Sequence, residues 1–534
     1  MKMIKKGVSS KPFNKNVEQQ KHSCAVIGSG VAGLSAAIRM AVKGYKVTVF
    51  EQSSKVGGKI SEKWLKDFRF DTGPSLFTLP ELVDELFFLC GKEPRQHFRY
   101  SALEASCKYF WEDGTRLTAW SDHEQFAREV EQRTGLPAGR IRRFLSHCRR
   151  LYLITSEVFM FNSLHRVSNY FKPYFMRSML QLHRLDAFTS MHRRNLRALR
   201  HPKIVQLFDR YATYNGSSPY VTPATLNVIA HLEHNLGAWF PEKGMYSIAA
   251  SLQQLAMEMG VEFRFNTPVE KIILQDGDSH ATAGSKSWLG KLFPTKKKKK
   301  ISGLIANGET HDFDMVISNV DVVTLYSKLL PEERFPEKQL RHERSTSALI
   351  FYWGVDRGFP ELGLHNILFS ENYEEEFDHL FRRKTISDDP TVYLFISARE
   401  VSGDAPAGKE NWYVMINAPE NVGQDWDAMV KEARRHIIGK INRMLGTDIE
   451  RHIEVEDMAD PRSIERDTGS FRGSLYGLSS NGRFAAFNRH PNFKKKYRNL
   501  YFSGGSVHPG GGIPLCLASA KIVDKEVKAL SVKG

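Results

Sequence analysis

Three glycines at fixed spacing, in the run Gly28-Ser29-Gly30-Val31-Ala32-Gly33, are suited to holding phosphate. The short apolar run Cys24-Ala25-Val26-Ile27 precedes them, as a buried parallel strand would. Leu34, Ala37, Ile38 and Ala41 then recur at helical spacing until Gly44. GxGxxG alone is a weak signal, but between a strand and a helix it reads as a dinucleotide fingerprint. Gly28 permits the tight turn, Gly30 lets backbone approach a pyrophosphate, and Gly33 lets the helix pack on the strand. The helix N-terminus, where Val31 and Ala32 lie, offers free N–H groups and a partial positive charge to the phosphates. The next strand, 46–50, ends at Glu51, with Gln52 beside it. A carboxylate there accepts hydrogen bonds from a ribose diol and repels a 2′-phosphate, which disfavours NADP.

Two further glycine clusters extend the site. Gly57-Gly58-Lys59 follows Glu51, and Asp71-Thr72-Gly73-Pro74-Ser75 comes next. A second glycine pair suits a long cofactor that runs past its ribose, with Gly58, Lys59, Gly73, Pro74 and Ser75 as candidate contacts. Near the other end stands Gly504-Gly505-Ser506-Val507-His508-Pro509-Gly510-Gly511-Gly512-Ile513-Pro514. Five glycines in nine residues let backbone sit against a flat ligand, and Pro514 suits the first turn of a helix. FAD is the cofactor these clusters imply. No second GxGxxG unit is visible, so no nicotinamide domain is expected, and electrons must pass to O₂ or a membrane quinone.

The run 28–59 resembles the N-terminal signature of the FAD-binding amine oxidase and phytoene desaturase superfamily. Residues 71–75 resemble its phytoene desaturase branch. The segment 504–514 resembles the family's His-Pro-Gly-x-Gly-x-Pro motif, in the form of the hydroxycarotenoid 3,4-desaturase branch. Tyr214-Asn215-Gly216-Ser217-Ser218-Pro219 and Thr222-Pro223-Ala224 resemble the substrate-domain signature, and residues 240–245 the return into the FAD domain. Thr267-Pro268-Val269 resembles the strand start where backbone, at Val269, meets the adenine. The resemblance spans about residues 22–530. It implies that the helix after Gly512 faces the isoalloxazine, with Gly505, Ser506, Gly512 and Ile513 against it, and stabilises the reduced flavin anion.

The implied reaction is desaturation of a carotenoid, most closely a 1-hydroxycarotenoid at its 3,4 bond. The flavin then accepts the hydride, and the protein supplies a long apolar tunnel, alignment and dryness. Few conventional catalytic side chains are expected, and no HExxH, GxSxG or Cys–His signature occurs. His508 is the one titratable residue in the flavin-facing loop. It is a candidate proton acceptor, with a loop-shaping hydrogen bond as the preferred alternative. Other readings within the fold are a phytoene desaturase acting on unmodified carotenes, a carotenoid isomerase or oxidase, a retinol saturase-like enzyme and an amine oxidase. Outside enzymes, a prenyl-lipid escort protein shares the fold.

These elements imply an α/β chain, α+β overall. A Rossmann-like FAD-binding domain is expected from residues 22–90, 240–344 and 460–534. Residues 91–239 and 345–459 would form a second, discontinuous domain with helices and a mixed or antiparallel sheet. A basic tail (1–21) and a Lys-rich loop (275–300, with lysines at 296–300) fall outside the resemblance. The five cysteines lack CxxC spacing, which argues against a disulfide framework and a zinc site, so no metal is expected. The net charge is +16, and residues 140–200 hold thirteen Lys or Arg against two acids, interleaved with aromatics. That mixture suits amphipathic core helices with solvated basic faces, or a helix in a lipid headgroup layer, and either better than nucleic acid. No run is long enough to span a bilayer. The expected location is cytoplasmic, at the inner face of a membrane.

Overall fold

The computed structural model describes residues 22–276, 298–337 and 342–530. The basic tail and most of the Lys-rich loop therefore lie outside the described residues.

A five-stranded parallel sheet runs in the order Leu500–Phe502, Met315–Ser318, Ser23–Ile27, Lys46–Phe50 and Glu262–Arg264. Its central strands are near-continuously apolar because both faces are covered. On one face the helix Val31–Val42 packs between the helices Tyr246–Glu258 and Ile513–Glu526. On the other, Ala25, Ile27 and Val316 meet Ile272, Ile301 and Leu304 of a small mixed sheet. Its strands Val269–Asp276, Lys299–Ala306 and Glu309–Asp312 are antiparallel, and the short strand Tyr497–Arg498 pairs parallel with Lys299–Ala306.

The expected loop 275–300 is narrower than its composition suggests. Gln275 pairs with Lys300 and Asp276 with Lys299, so the two strands continue into it. Lys299 also meets Glu333 at 2.6 Å. A cross-strand ladder and a buried carboxylate thus hold residues that look like solvated loop in sequence. Lys296 and Lys297 lie outside the described residues.

A seven-stranded sheet runs Ile453–Ala459, Ser347–Val355, Glu410–Ala418, Val392–Ile396, His365–Leu368, Ala105–Phe110 and Arg116–Trp120. Its neighbours are antiparallel except one pair: His365–Leu368 lies parallel to Ala105–Phe110. That strand arrives from a distant part of the chain, which no local spacing announces. The two-residue period sets the faces. Leu349, Phe351, Trp353 and Val355 pack under the helix Trp426–Leu445, while Ala348 and Ile350 turn toward a cavity.

The basic, aromatic stretch 140–200 divides in two. Phe144, with Ile141, Leu145, Cys148 and Leu151, is core on the helix Ala138–Thr155, so this helix packs as an amphipathic core helix. Val167, Phe171, Met176, Leu180 and Phe188 are exposed. No helix among the described residues is long and apolar enough to cross a membrane.

Candidate functional site

Two helices end at the same cavity. Val31–Val42 starts after Gly30 and Ile513–Glu526 after Gly512; neither has a side-chain N-cap or an acid in its first turn. Free amides and positive helix ends therefore converge from opposite ends of the sequence. The cavity holds about 1710 Å³, above the roughly 300–1,000 Å³ of a typical single-ligand site.

Every candidate residue except Gly33 lines it: Gly28, Gly30, Val31, Ala32, Glu51, Gln52, Gly58, Lys59, Gly73, Pro74, Ser75, Val269, Gly505, Ser506, Gly512, Ile513 and His508. Gly33 lies behind the wall, where its Cα backs onto the Gly28 carbonyl with no room for a Cβ.

Glu51 is less free than its place suggests. Its Oε2 accepts from the Ser29 amide (2.8 Å) and hydroxyl (2.7 Å), and Oε1 accepts from the Ser53 amide (2.9 Å). One lone pair of Oε1 remains for a ribose hydroxyl. The same carboxylate thus shapes the glycine turn and lines the cavity.

Asn319 is a site residue that sequence reasoning left without a role. Its Nδ2 stands 2.8 Å from where a Cβ on Gly30 would lie, and its Oδ1 stands 2.5 Å from one on Gly504. One side chain therefore spaces the two glycine loops, and its only sequence signal is the Ser318-Asn319 step at a strand end. Ser506 is anchored by the Val322 amide at 3.0 Å.

The segment 475–477 forms another wall and is held by two cations, the half-buried Lys59 and the buried Arg489. Lys59 Nζ donates to the Leu475 carbonyl at 2.7 Å. Arg489 donates to the carbonyls of Tyr476 and Leu478, to Asn215 Oδ1 and to Ser480 Oγ. Neither cation forms an ion pair among the described residues. Burial lowers the Lys59 pKa, with Asp321 pulling the other way, and lowers that of Arg489 to about 10. Tyr476 in turn leaves no room for a Cβ on Gly511.

FAD fits this cradle. The amides at both helix ends suit its phosphates and the polar edge of its ring. Gly512 has φ +98 and nothing within 4 Å of a built Cβ, so backbone there can meet a flat ring directly. The half-buried Lys59 and the buried Arg489, both without carboxylate partners among the described residues, favour an anionic ligand.

His508 is buried within its loop. It is 1% exposed, its ring meets the Asn162 carbonyl through Nε2 at 2.9 Å, and its own carbonyl accepts from Asn492 and Ser519. Burial lowers its pKa to about 4. The imidazole is therefore neutral at physiological pH, with Nδ1 unpartnered among the described residues.

Away from the glycine loops the cavity has an apolar stretch lined by Phe159, Leu164, Phe175, Leu226 and Leu232. It reaches the exposed Met176, Met179, Phe188, Phe484 and Phe487. Phe159 and Phe487 meet edge to face at 5.9 Å, and Arg483 lies over Phe188. An apolar opening thus carries Lys172, Arg177, Arg184 and Arg483 in its exposed segments.

The profile of flavin-containing amine oxidoreductases matches residues 31–523. A 1-hydroxycarotenoid 3,4-desaturase of Flavobacterium sp. (strain P99-3) is 46% identical over 93% of this chain and 97% of its own. A 4,4′-diapolycopene oxygenase of Methylomonas sp. is 33% identical over 94% and 97%. An oxidoreductase from Methanosarcina mazei shares the fold, with TM-score 0.57 and 14% identity over 94% of this chain and 100% of its own.

Proposed function

The chain belongs to the flavin-containing amine oxidoreductase family, and from that premise we propose that it is an FAD-dependent carotenoid desaturase acting on a 1-hydroxycarotenoid at its 3,4 bond. The observation that carries this reading is one cavity with two chemistries: a glycine-lined cradle for a dinucleotide and a long apolar arm that opens on an apolar surface. A small amine needs no such arm; a polyene does.

When bound, FAD supplies the two-electron acceptor for removing hydrogen from adjacent carbons. Gly28, Gly30, Val31 and Ala32 would hold its pyrophosphate, with Glu51 and Gln52 at the ribose and Val269 at the adenine. Gly58, Lys59, Gly73, Pro74 and Ser75 would follow its length, and Gly505, Ser506, Gly512 and Ile513 would meet the ring. The helix end at Gly512 would stabilise negative charge there. Leu226, Leu232, Ile350 and their neighbours align the polyene and exclude water. His508 holds the loop rather than a proton. Reoxidation falls to O₂ or a membrane quinone.

We read the five-stranded sheet as the cofactor half and the seven-stranded sheet as the substrate half. The exposed rim around Phe188 and Phe484 is read as the contact with an anionic membrane surface, from which the substrate enters.

Pigment analysis after co-expression tests the activity. With enzymes that make a 1-hydroxylated acyclic carotenoid, the product should gain a conjugated double bond and absorb at longer wavelength. Unchanged pigment with both this precursor and its unhydroxylated parent would overturn the reading.

A further inference from the structure

The apolar arm of the cavity has a polar inner wall. Ser75, Tyr393, His365, Arg210, Tyr214 and Glu233 all line the cavity, and all are partly or fully buried. A pure hydrocarbon gives such groups nothing to bond with, so each needs a protein partner or a polar ligand.

Most of them have partners. Glu233 accepts from the Tyr211 and Tyr214 hydroxyls, both at 2.8 Å, from Ser106 at 3.2 Å and from Arg210 at 3.4 Å. Arg210 also donates to the Tyr214 hydroxyl at 2.7 Å. This cluster is a frame bonded largely to itself, with Arg210 Nε alone lacking a partner among the described residues.

His365 is different. Its Nδ1 meets the Tyr393 hydroxyl at 2.8 Å, and that hydroxyl meets Ser75 Oγ at 2.6 Å. The ring is stacked on Phe395 with centroids 5.3 Å apart, which fixes its plane. Its Nε2 has no hydrogen-bond partner among the described residues, although the residue is only 4% exposed. Leaving such a group unpaired forfeits its hydrogen bond with no solvent to replace it. Burial lowers its pKa to about 4, so the ring is neutral. In one tautomer Nε2 donates and in the other it accepts. A hydroxyl group does both, so it completes either tautomer.

The place of this chain of groups matters as much as its chemistry. Ser75 adjoins Gly73 and Pro74, which we assign to the cofactor, so the chain runs from the cofactor segment to His365. In a 1-hydroxylated polyene oxidised between carbons 3 and 4, the hydroxyl-bearing carbon lies two bonds from the reacting pair. A group that reads this hydroxyl must therefore stand near the cofactor and not at the entrance, and the hydrogen-bonded chain Ser75–Tyr393–His365 starts from the segment we assign to the cofactor.

We propose that His365, held by Tyr393 and Ser75, binds the terminal hydroxyl of the substrate through Nε2, selecting a hydroxylated polyene over its parent and setting which bond meets the flavin. The inference rests on the reading that the cavity takes a polyene.

The test uses the detergent-solubilised holoprotein, a 1-hydroxylated acyclic carotenoid and its unhydroxylated parent. Affinity is read from quenching of protein fluorescence, and turnover from product absorbance. The wild type should bind the hydroxylated compound at least about tenfold more tightly. His365→Phe should erase that preference, and kcat/KM should fall at least about tenfold more on the hydroxylated compound than on the parent. Tyr393→Phe should give an intermediate loss. His365→Gln, which keeps a hydrogen-bonding tip, should restore part of the preference and guards against a folding defect. Equal affinity of the wild type for both compounds, or equal losses on both in His365→Phe, overturns the proposal and leaves the desaturase reading intact. A preference in binding without turnover of either compound sinks the desaturase reading and leaves this one standing.

Discussion

Gly33 and Gly28 share one tight contact: the Cα of Gly33 backs onto the Gly28 carbonyl so closely that no side chain fits between them. This contact sets how near the helix Val31–Val42 lies to the strand Ser23–Ile27, and so where its free amides point. Gly33→Ala should force the two apart. We expect destabilisation of about 1–3 kcal/mol and a several-fold lower flavin content. Denaturant melts and the ratio of flavin to protein absorbance check it. Full flavin content would show that the spacing does not matter.

Arg489 is the support beneath the other glycine loop, with Cζ 3.0 Å from where a Cβ on Gly510 would lie. It satisfies two carbonyls, an amide oxygen and a hydroxyl at once. Arg489→Met strands those acceptors and should lower stability by roughly 3 kcal/mol or more. Arg489→Lys should not rescue it, because a single ammonium lacks the guanidinium's fork. Equal melting points for the lysine variant and the wild type would refute this.

Acid should weaken the fold as its buried histidines are forced to take up protons. Burial holds His234, His365 and His508 at a pKa of about 4, against 6.5 in an unfolded chain. Between those values the unfolded chain binds a proton at each site and the folded chain does not. Stability is therefore full above about pH 6.5 and is lost as pH falls toward 4. Each ring adds a slope of up to about 1.4 kcal/mol per pH unit. Urea melts at pH 7.5, 6 and 5 should show the fall, and His365→Phe should flatten it. An identical slope in the variant would remove His365 from this account.

His508→Ala should spare flavin content but slow turnover, because it removes the tie from the ring to the Asn162 carbonyl and lets the loop shift. A role as proton acceptor instead predicts a changed pH–rate profile in His508→Gln with the loop intact. Turnover unchanged in both variants would exclude the residue from the reaction.

The apolar rim should hold the protein on lipid. Co-sedimentation with vesicles containing phosphatidylglycerol should be strong at low salt and fall as salt screens the basic residues. The pair Phe188→Ser and Phe484→Ser should reduce it several-fold at every salt concentration. Binding indifferent to salt, lipid charge and this pair would defeat the membrane reading.

Much of the cofactor half is legible from residues alone. Strands at 23–27, 46–50 and 315–318 announce themselves by short apolar runs, and glycine spacing marks both helix ends. Asn319, Tyr476 and Arg489 do not, since their work is contact between segments remote in sequence. The exposed Phe484 and Phe487 have no helical period to mark them, yet they join Phe159 and Phe188 at one opening. The pairing of His365 with Tyr393 depends on two adjacent strands in register, which composition cannot convey. The lysine run misleads for a related reason: charge suggests solvent, but cross-strand pairing decides the conformation of Lys299 and Lys300.

The strand Met315–Ser318 stands between Ser23–Ile27 and Leu500–Phe502. On the ribosome, the first βαβ unit emerges hundreds of residues before the strand that completes its sheet. Until that strand arrives, Met315–Ser318 presents an open edge of unpaired backbone, a template for misassociation. This half of the protein therefore closes only late in synthesis or after release, and capture of the nucleotide must wait for it. Shortening the chain before residue 500 would leave a nascent product for chaperones and proteases rather than a smaller enzyme.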